Sequence, residues 1–212
     1  MVGGSGGVSG TALDHAYRLG AEIVRDAILL TGGDGSDAKT IKDAAIRGAL
    51  STVRTISILK EKGGMQRGTG TIRSGWDHGR NILNALACDA MIALEGGAGT
   101  LSEVAFAQMV ERRIVVFGGA ETKLETELQD ADFTTIIKHA APRADVLPVA
   151  CNAGNVKKYA AEALAKAFRT SDVQQAVLYA MEAPLRAFLP PIDGVDPEEW
   201  ERLLERYGRG RA

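Results

Sequence analysis

Ile92-Ala-Leu-Glu-Gly-Gly-Ala-Gly-Thr-Leu-Ser-Glu103 is the stretch whose reading decides the fold of this chain. Ala90 to Leu94 is a short apolar run with the composition of a buried strand, and Gly96, Gly97 and Gly99 break it. Thr100 is placed to cap a helix running through Glu111, with Glu103 as its capping-box partner. Glycines at a strand-to-helix turn let backbone N–H groups approach an anion, and the helix N-terminus adds partial positive charge. The stretch therefore reads as a phosphate cradle. A ligand-free glycine connection between strand and helix is the alternative.

The same unit recurs on either side. Met-Val-Gly-Gly-Ser-Gly-Gly at the start precedes an amphipathic helix over Thr11 to Arg25. Its glycines suit either a flexible linker or the first loop of a doubly wound fold, which leaves only Met1 and Val2 for the first strand. A native start a few residues upstream is expected on that ground. Ala27 to Leu30 forms the next strand, Thr31-Gly-Gly-Asp-Gly35 its turn, and Asp37 to Leu50 a helix capped by Ser36. Val53 to Leu59 is a β-branched strand. Lys60 to Ser74, polar and glycine-punctuated, reads as a loop or lid. A helix over Asp77 to Ala87 then delivers the chain into the opening stretch.

Beyond it, Ile114 to Phe117 is a strand, Leu124 to Ala141 an interrupted helix, and Val146 to Ala150 a sixth strand. Helices are expected over Val156 to Ala167, from Ser171 to Phe188, and from Asp196 to Gly208. Short apolar strands alternating with helices give an α/β fold: a doubly wound, mostly parallel Rossmann-like sheet with helices on both faces. Residues 1–170 form the nucleotide- or phosphate-binding domain and 171–212 a C-terminal helical extension.

Composition bounds the function. With 25 basic and 27 acidic residues and a net charge of −2, nothing favours a nucleic-acid partner. No apolar run reaches membrane-spanning length, so a membrane partner is not expected and a cytoplasmic location is. Cys88 and Cys151 lack metal-ligand spacing, and no metal site is expected. No Gly-Lys-Ser/Thr follows any glycine turn, and no well-formed Gly-x-Gly-x-x-Gly has its acidic partner, which disfavours Walker-type sites and NAD. If the first and fourth strands are neighbours at the point where strand order reverses, their turns converge on one small phosphorylated ligand. Arg80 and Asn81, opening the preceding helix, are then either phosphate contacts or solvated helix residues.

The segment from Gly79-Arg-Asn81 through Asp89 to Gly96-Gly-Ala-Gly-Thr-Leu-Ser-Glu103 resembles the LOG family of the SLOG superfamily, often labelled "lysine decarboxylase-like". The resemblance covers roughly residues 1 to 168. It implies N-glycosidic hydrolysis of nucleoside 5′-monophosphates, a phosphoribohydrolase activity, with Arg80 and Glu103 as the catalytic pair. It assigns ligand binding to Gly4, Ser5, Gly32, Gly33, Asn81, Gly96, Gly97, Gly99 and Thr100. No cofactor is required; the implied ligand is a nucleoside monophosphate or a molybdopterin-type compound, and the implied assembly a homo-oligomer, dimer or tetramer. Where the family signature has proline and two helix residues of another kind, this chain has Glu95, Asn81 and Asn84. In those features it is closer to the molybdenum-cofactor carrier branch, which binds a phosphorylated pterin without turnover, or to a nucleotide sensor. Glu95 is expected to face away from a bound phosphate. Arg73, Trp76 and His78 are loop residues within reach of a base or pterin ring.

Overall fold

The computed structural model describes residues 1–4, 7–33, 39–49, 54–59, 70–141 and 147–182. Contacts divide the chain into Met1–Met181 and Glu182–Ala212, and the first unit holds every strand and helix among the described residues. The expected final helix, Ser5 and Ser36 lie outside the described residues.

Six strands are present among the described residues: β1 (Leu29–Thr31), β2 (Thr55–Leu59), β3 (Gly70–Arg73), β4 (Ala90–Ala93), β5 (Arg113–Phe117) and β6 (Phe168–Thr170). They form two all-parallel sheets, β1-β2-β3 and β4-β5-β6. Residues 1–4 join them. Val2 makes a parallel bridge to Ala93, donating to Ile92 O (3.0 Å) and accepting from Leu94 N (3.1 Å). On the other side the Met1 amine donates to Leu30 O (2.7 Å). The first strand and β4 are thus neighbours, and strand order reverses between them as the sequence requires of a doubly wound sheet.

The helices are α1 (Gly10–Asp26), α2 (Ile41–Ala49), α3 (Arg80–Ala87), α4 (Ala98–Met109), α5 (Ala120–Asp130), α6 (Thr134–Ala140), α7 (Ala153–Lys166) and α8 (Val173–Met181). Alternation along the central strands explains the layers. Met91, Ala93, Ile114 and Val116 pack into one core with α3 to α7, whereas Ile92, Leu94, Val115 and Phe117 pack into another with α1, α2 and α8. Strands covered on both faces read as continuous apolar runs, and that is why β4 and β5 are legible in the sequence.

Several boundaries differ from expectation. Gly70–Arg73, read as loop, is an edge strand whose residues are mostly exposed, so it carries no buried alternation. The sixth strand is Phe168–Thr170, in what reads as the connection between the helices ending at Ala167 and starting at Ser171, whereas residues 147–150 are not a strand. Helix α2 starts at Ile41, where Thr40 and Asp43 supply the cap: Asp43 N donates to Thr40 Oγ (3.1 Å), and the Thr40 hydroxyl to Asp43 Oδ2 (2.7 Å). Helix α8 is capped by Asp172, whose Oδ1 accepts from Gln175 N (2.8 Å), rather than by Ser171.

Candidate functional site

The first loop and the β4–α4 turn meet because Val2 and β4 are paired. Gly4 N donates to Glu95 O at 2.7 Å. Gly96 is the contact point: a methyl there would overlap the Thr100 hydroxyl and lie 2.9 Å from Gly4 N. Helix α4 begins at Ala98 with Gly97 as its N-cap, and no side chain accepts from its first N–H groups. Thr100 is therefore not the cap. It is buried in the first turn with its side chain against Gly96. Outside its chain neighbours and its own helix backbone, Gly99 has no atom of the described residues within 4 Å of the space a methyl would take. The uncapped donors and this open approach are what an anion needs from a helix N-terminus.

Glu103 is not a capping residue either. It is 2% exposed, and its Oε1 accepts from Asn84 Nδ2 at 2.5 Å across the α3–α4 interface. Arg80, 4% exposed, donates through Nη1 to Gly33 O (3.2 Å) and Ile58 O (3.3 Å), which ties the start of α3 to the ends of β1 and β2. Asn81 donates to Ser102 Oγ (2.8 Å) and Gly99 O (3.3 Å), so it braces the α4 turn from behind. Arg80 and Glu103 form no ion pair. They flank Gly32 instead: a methyl at that position would lie 3.6 Å from Arg80 Cζ, 3.6 Å from Glu103 Oε1 and 2.9 Å from Asn84 Nδ2. Only glycine leaves this space unfilled.

Arg80 Nε and Asn84 Oδ1 are buried without a hydrogen-bond partner. Buried polar atoms are nearly always paired, and here one donor and one acceptor are left over in the same cluster. Glu95 turns its carboxylate to the N-terminus of α1. It accepts from Ser9 N (3.0 Å) and the Ser9 hydroxyl (2.8 Å), and pairs with Lys123 (3.0 Å). Partial burial alone would raise its pKa, but the Ser9 and Lys123 contacts outweigh this and hold it below the ordinary value. That charge is neutralised within the protein.

The sequence-derived residues Gly4, Gly32, Gly33, Arg80, Asn81, Gly96, Gly97, Gly99, Thr100 and Glu103 therefore lie along the carboxyl ends of adjoining strands. Asn84 stands out in the sequence only as a departure from a signature, yet it is the direct partner of Glu103. Its signal is a polar stripe: Arg80, Asn81 and Asn84 share one face of an otherwise apolar helix.

The family model described as the SLOG cluster4 family matches residues 1–146. The chain belongs to that family. A relative in Archaeoglobus fulgidus, described as an uncharacterized protein, is 33% identical over 103 residues, which is 47% of this chain and 66% of the relative, just under two thirds of its length. Among solved structures, the molybdenum cofactor binding protein of the phototrophic bacterium Rippkaea orientalis superposes with a TM-score of 0.58 at 22% identity, over 83% of this chain and 90% of that one. At that identity the likeness shows the fold. The molybdenum cofactor carrier protein of Chlamydomonas reinhardtii gives a TM-score of 0.51 at 26% identity, over 78% of this chain and 96% of its own. A SLOG member with this architecture is a Rossmann-like protein, and no helix among the described residues is long and apolar enough to cross a membrane.

Proposed function

We propose that this SLOG protein binds a phosphorylated pterin or nucleotide without turning it over, with a molybdopterin-type compound as cargo. The observation that carries the reading is the clamp on Glu103. A general base must reach the reacting water, whereas this carboxylate is buried and committed to Asn84. The cargo's phosphate fits the uncapped start of α4 at Gly97 to Thr100. Next to it, Arg80 Nε and Asn84 Oδ1 are an unpaired donor and an unpaired acceptor that would suit the cargo's own polar groups. The likeness to molybdenum cofactor carrier proteins supports the same ligand class.

A second reading, phosphoribohydrolase activity, is favoured by one feature: a guanidinium and a carboxylate flank Gly32 without pairing to each other, a suitable arrangement around a developing oxocarbenium charge. Incubating the protein in molar excess with each nucleoside 5′-monophosphate, then separating the products by chromatography, distinguishes them. Intact monophosphates support the carrier. Release of free base that disappears in Glu103→Ala would establish the hydrolase and end the carrier reading.

A further inference from the structure

No spacing in the sequence points to a metal, because His78 and His139 lie far apart along it. The fold brings them together. The turn Asp77–Gly79 is a single 3-10 turn leading directly into α3, and Asp77 opens it at φ 36°, a backbone region uncommon for a residue with a side chain. Gly79 crosses α6 backbone to backbone: a methyl there would lie 2.6 Å from His139 O. This close crossing lays the His78 and His139 rings parallel, 10° apart in plane with centroids 5.7 Å apart. His139 Nδ1 is 3.7 Å from Asp77 Oδ2, too far for a hydrogen bond, and it is buried without a hydrogen-bond partner. One ligating atom from each of Asp77, His78 and His139 lies within 4.8 Å of the other two.

We propose that Asp77, His78 and His139 form a binding site for a divalent transition-metal ion of the zinc class. Two imidazole nitrogens and one carboxylate oxygen are a borderline donor set, suited to Zn²⁺ or Co²⁺ and poor in oxygen for Ca²⁺ or Mg²⁺. Ligands about 2.1 Å from a tetrahedral ion stand roughly 3.4 Å apart, so atoms now within 4.8 Å of one another close by up to about 1.4 Å through side-chain rotation. The buried nitrogen of His139 gains the hydrogen-bond or metal partner it lacks. Side-chain exposures of 50% for Asp77 and 36% for His139 leave the cluster reachable from solvent. The three residues lie at and beside the turn that leads into α3, which begins with Arg80. The site does not depend on the carrier reading, because none of its three residues belongs to the phosphate cradle.

The test uses the metal-stripped full chain with no phosphorylated ligand present. Co²⁺ is titrated with visible absorption as the readout, and Zn²⁺ by competition. One equivalent should bind with d–d bands of a low-coordinate nitrogen–oxygen site. His139→Ala and His78→Ala should each weaken binding by at least about 10- to 100-fold, and Asp77→Asn by less. Should His139→Ala fail to fold by circular dichroism, His139→Gln and His78→Ala carry the comparison. Absence of stoichiometric binding, affinity unchanged in both histidine variants, or a sulfur-to-cobalt charge-transfer band from Cys88 or Cys151 would overturn the assignment.

Discussion

Asn84→Ala is the perturbation whose cost follows most directly from the geometry. The Asn84–Glu103 bond is 2.5 Å long, between residues 3% and 2% exposed. Removing the donor strands a buried carboxylate. A hydrogen bond to a charged group contributes about 1.5–3 kcal/mol net. For a chain of this size each kcal/mol moves the melting temperature by about 2–4 °C, so Asn84→Ala should melt roughly 3–12 °C lower. The assay is urea and thermal denaturation of wild type, Asn84→Ala, Glu103→Ala and the double variant at neutral pH. Once Glu103 is gone, losing Asn84 should cost little more, giving a coupling energy of about 1.5 kcal/mol or more. Asn84→Asp should be worse at neutral pH, since two carboxylates then face each other. Its deficit should shrink as pH falls and one of them binds a proton. Additive single variants, with coupling below about 0.5 kcal/mol, would refute the clamp and with it the reason for discounting Glu103 as a base.

Other consequences can be checked alongside. Gly96→Ala should destabilise by about 1–3 kcal/mol in chemical denaturation, because the added methyl overlaps Thr100 and presses on the Gly4 backbone. Glu95 contributes stability that is present above its ordinary pKa of 4.5 and is lost as pH falls through its lowered folded value. The stability gap between wild type and Glu95→Gln should therefore narrow in acid and stay constant from pH 6 to 8. Burial pushes the Cys88 thiol from 9.0 up to about 11, so its alkylation at pH 8 should run about 100-fold slower than that of a free thiol, as read by peptide mass mapping.

The parts of the fold legible in the sequence are those whose physics is local. Glycine turns after buried strands locate the carboxyl edge, and apolar runs such as Ile114–Phe117 mark strands covered on both faces. The edges are not legible. Among the described residues β3 has one neighbouring strand and mostly exposed residues, and β6 is three half-buried or exposed residues joined to the end of α7, so neither carries a hydrophobic signature. The cradle's glycines are visible as letters, but the jobs of its polar residues are not. Thr100 and Glu103 fit a capping box by spacing, yet tertiary packing sends one against Gly96 and the other to Asn84, 19 positions away on another helix. The pairing of His78 with His139 depends on the crossing at Gly79 and is invisible for the same reason.

If the open turn at Gly97 to Thr100 receives the phosphate of a pterin or nucleotide, closing it must cost affinity. Gly99→Ala closes it with least disturbance, because beyond its chain neighbours and its own helix backbone no atom of the described residues lies within 4 Å of the added methyl, and alanine favours the helix by about 0.5–1 kcal/mol. Calorimetric titration of wild type and Gly99→Ala with a pterin phosphate monoester, and with AMP, is the decisive measurement. Saturable one-site binding to wild type, weakened at least about tenfold in a variant that melts no lower, is the predicted result. Equal affinity in both proteins, or no binding of either compound, would contradict it.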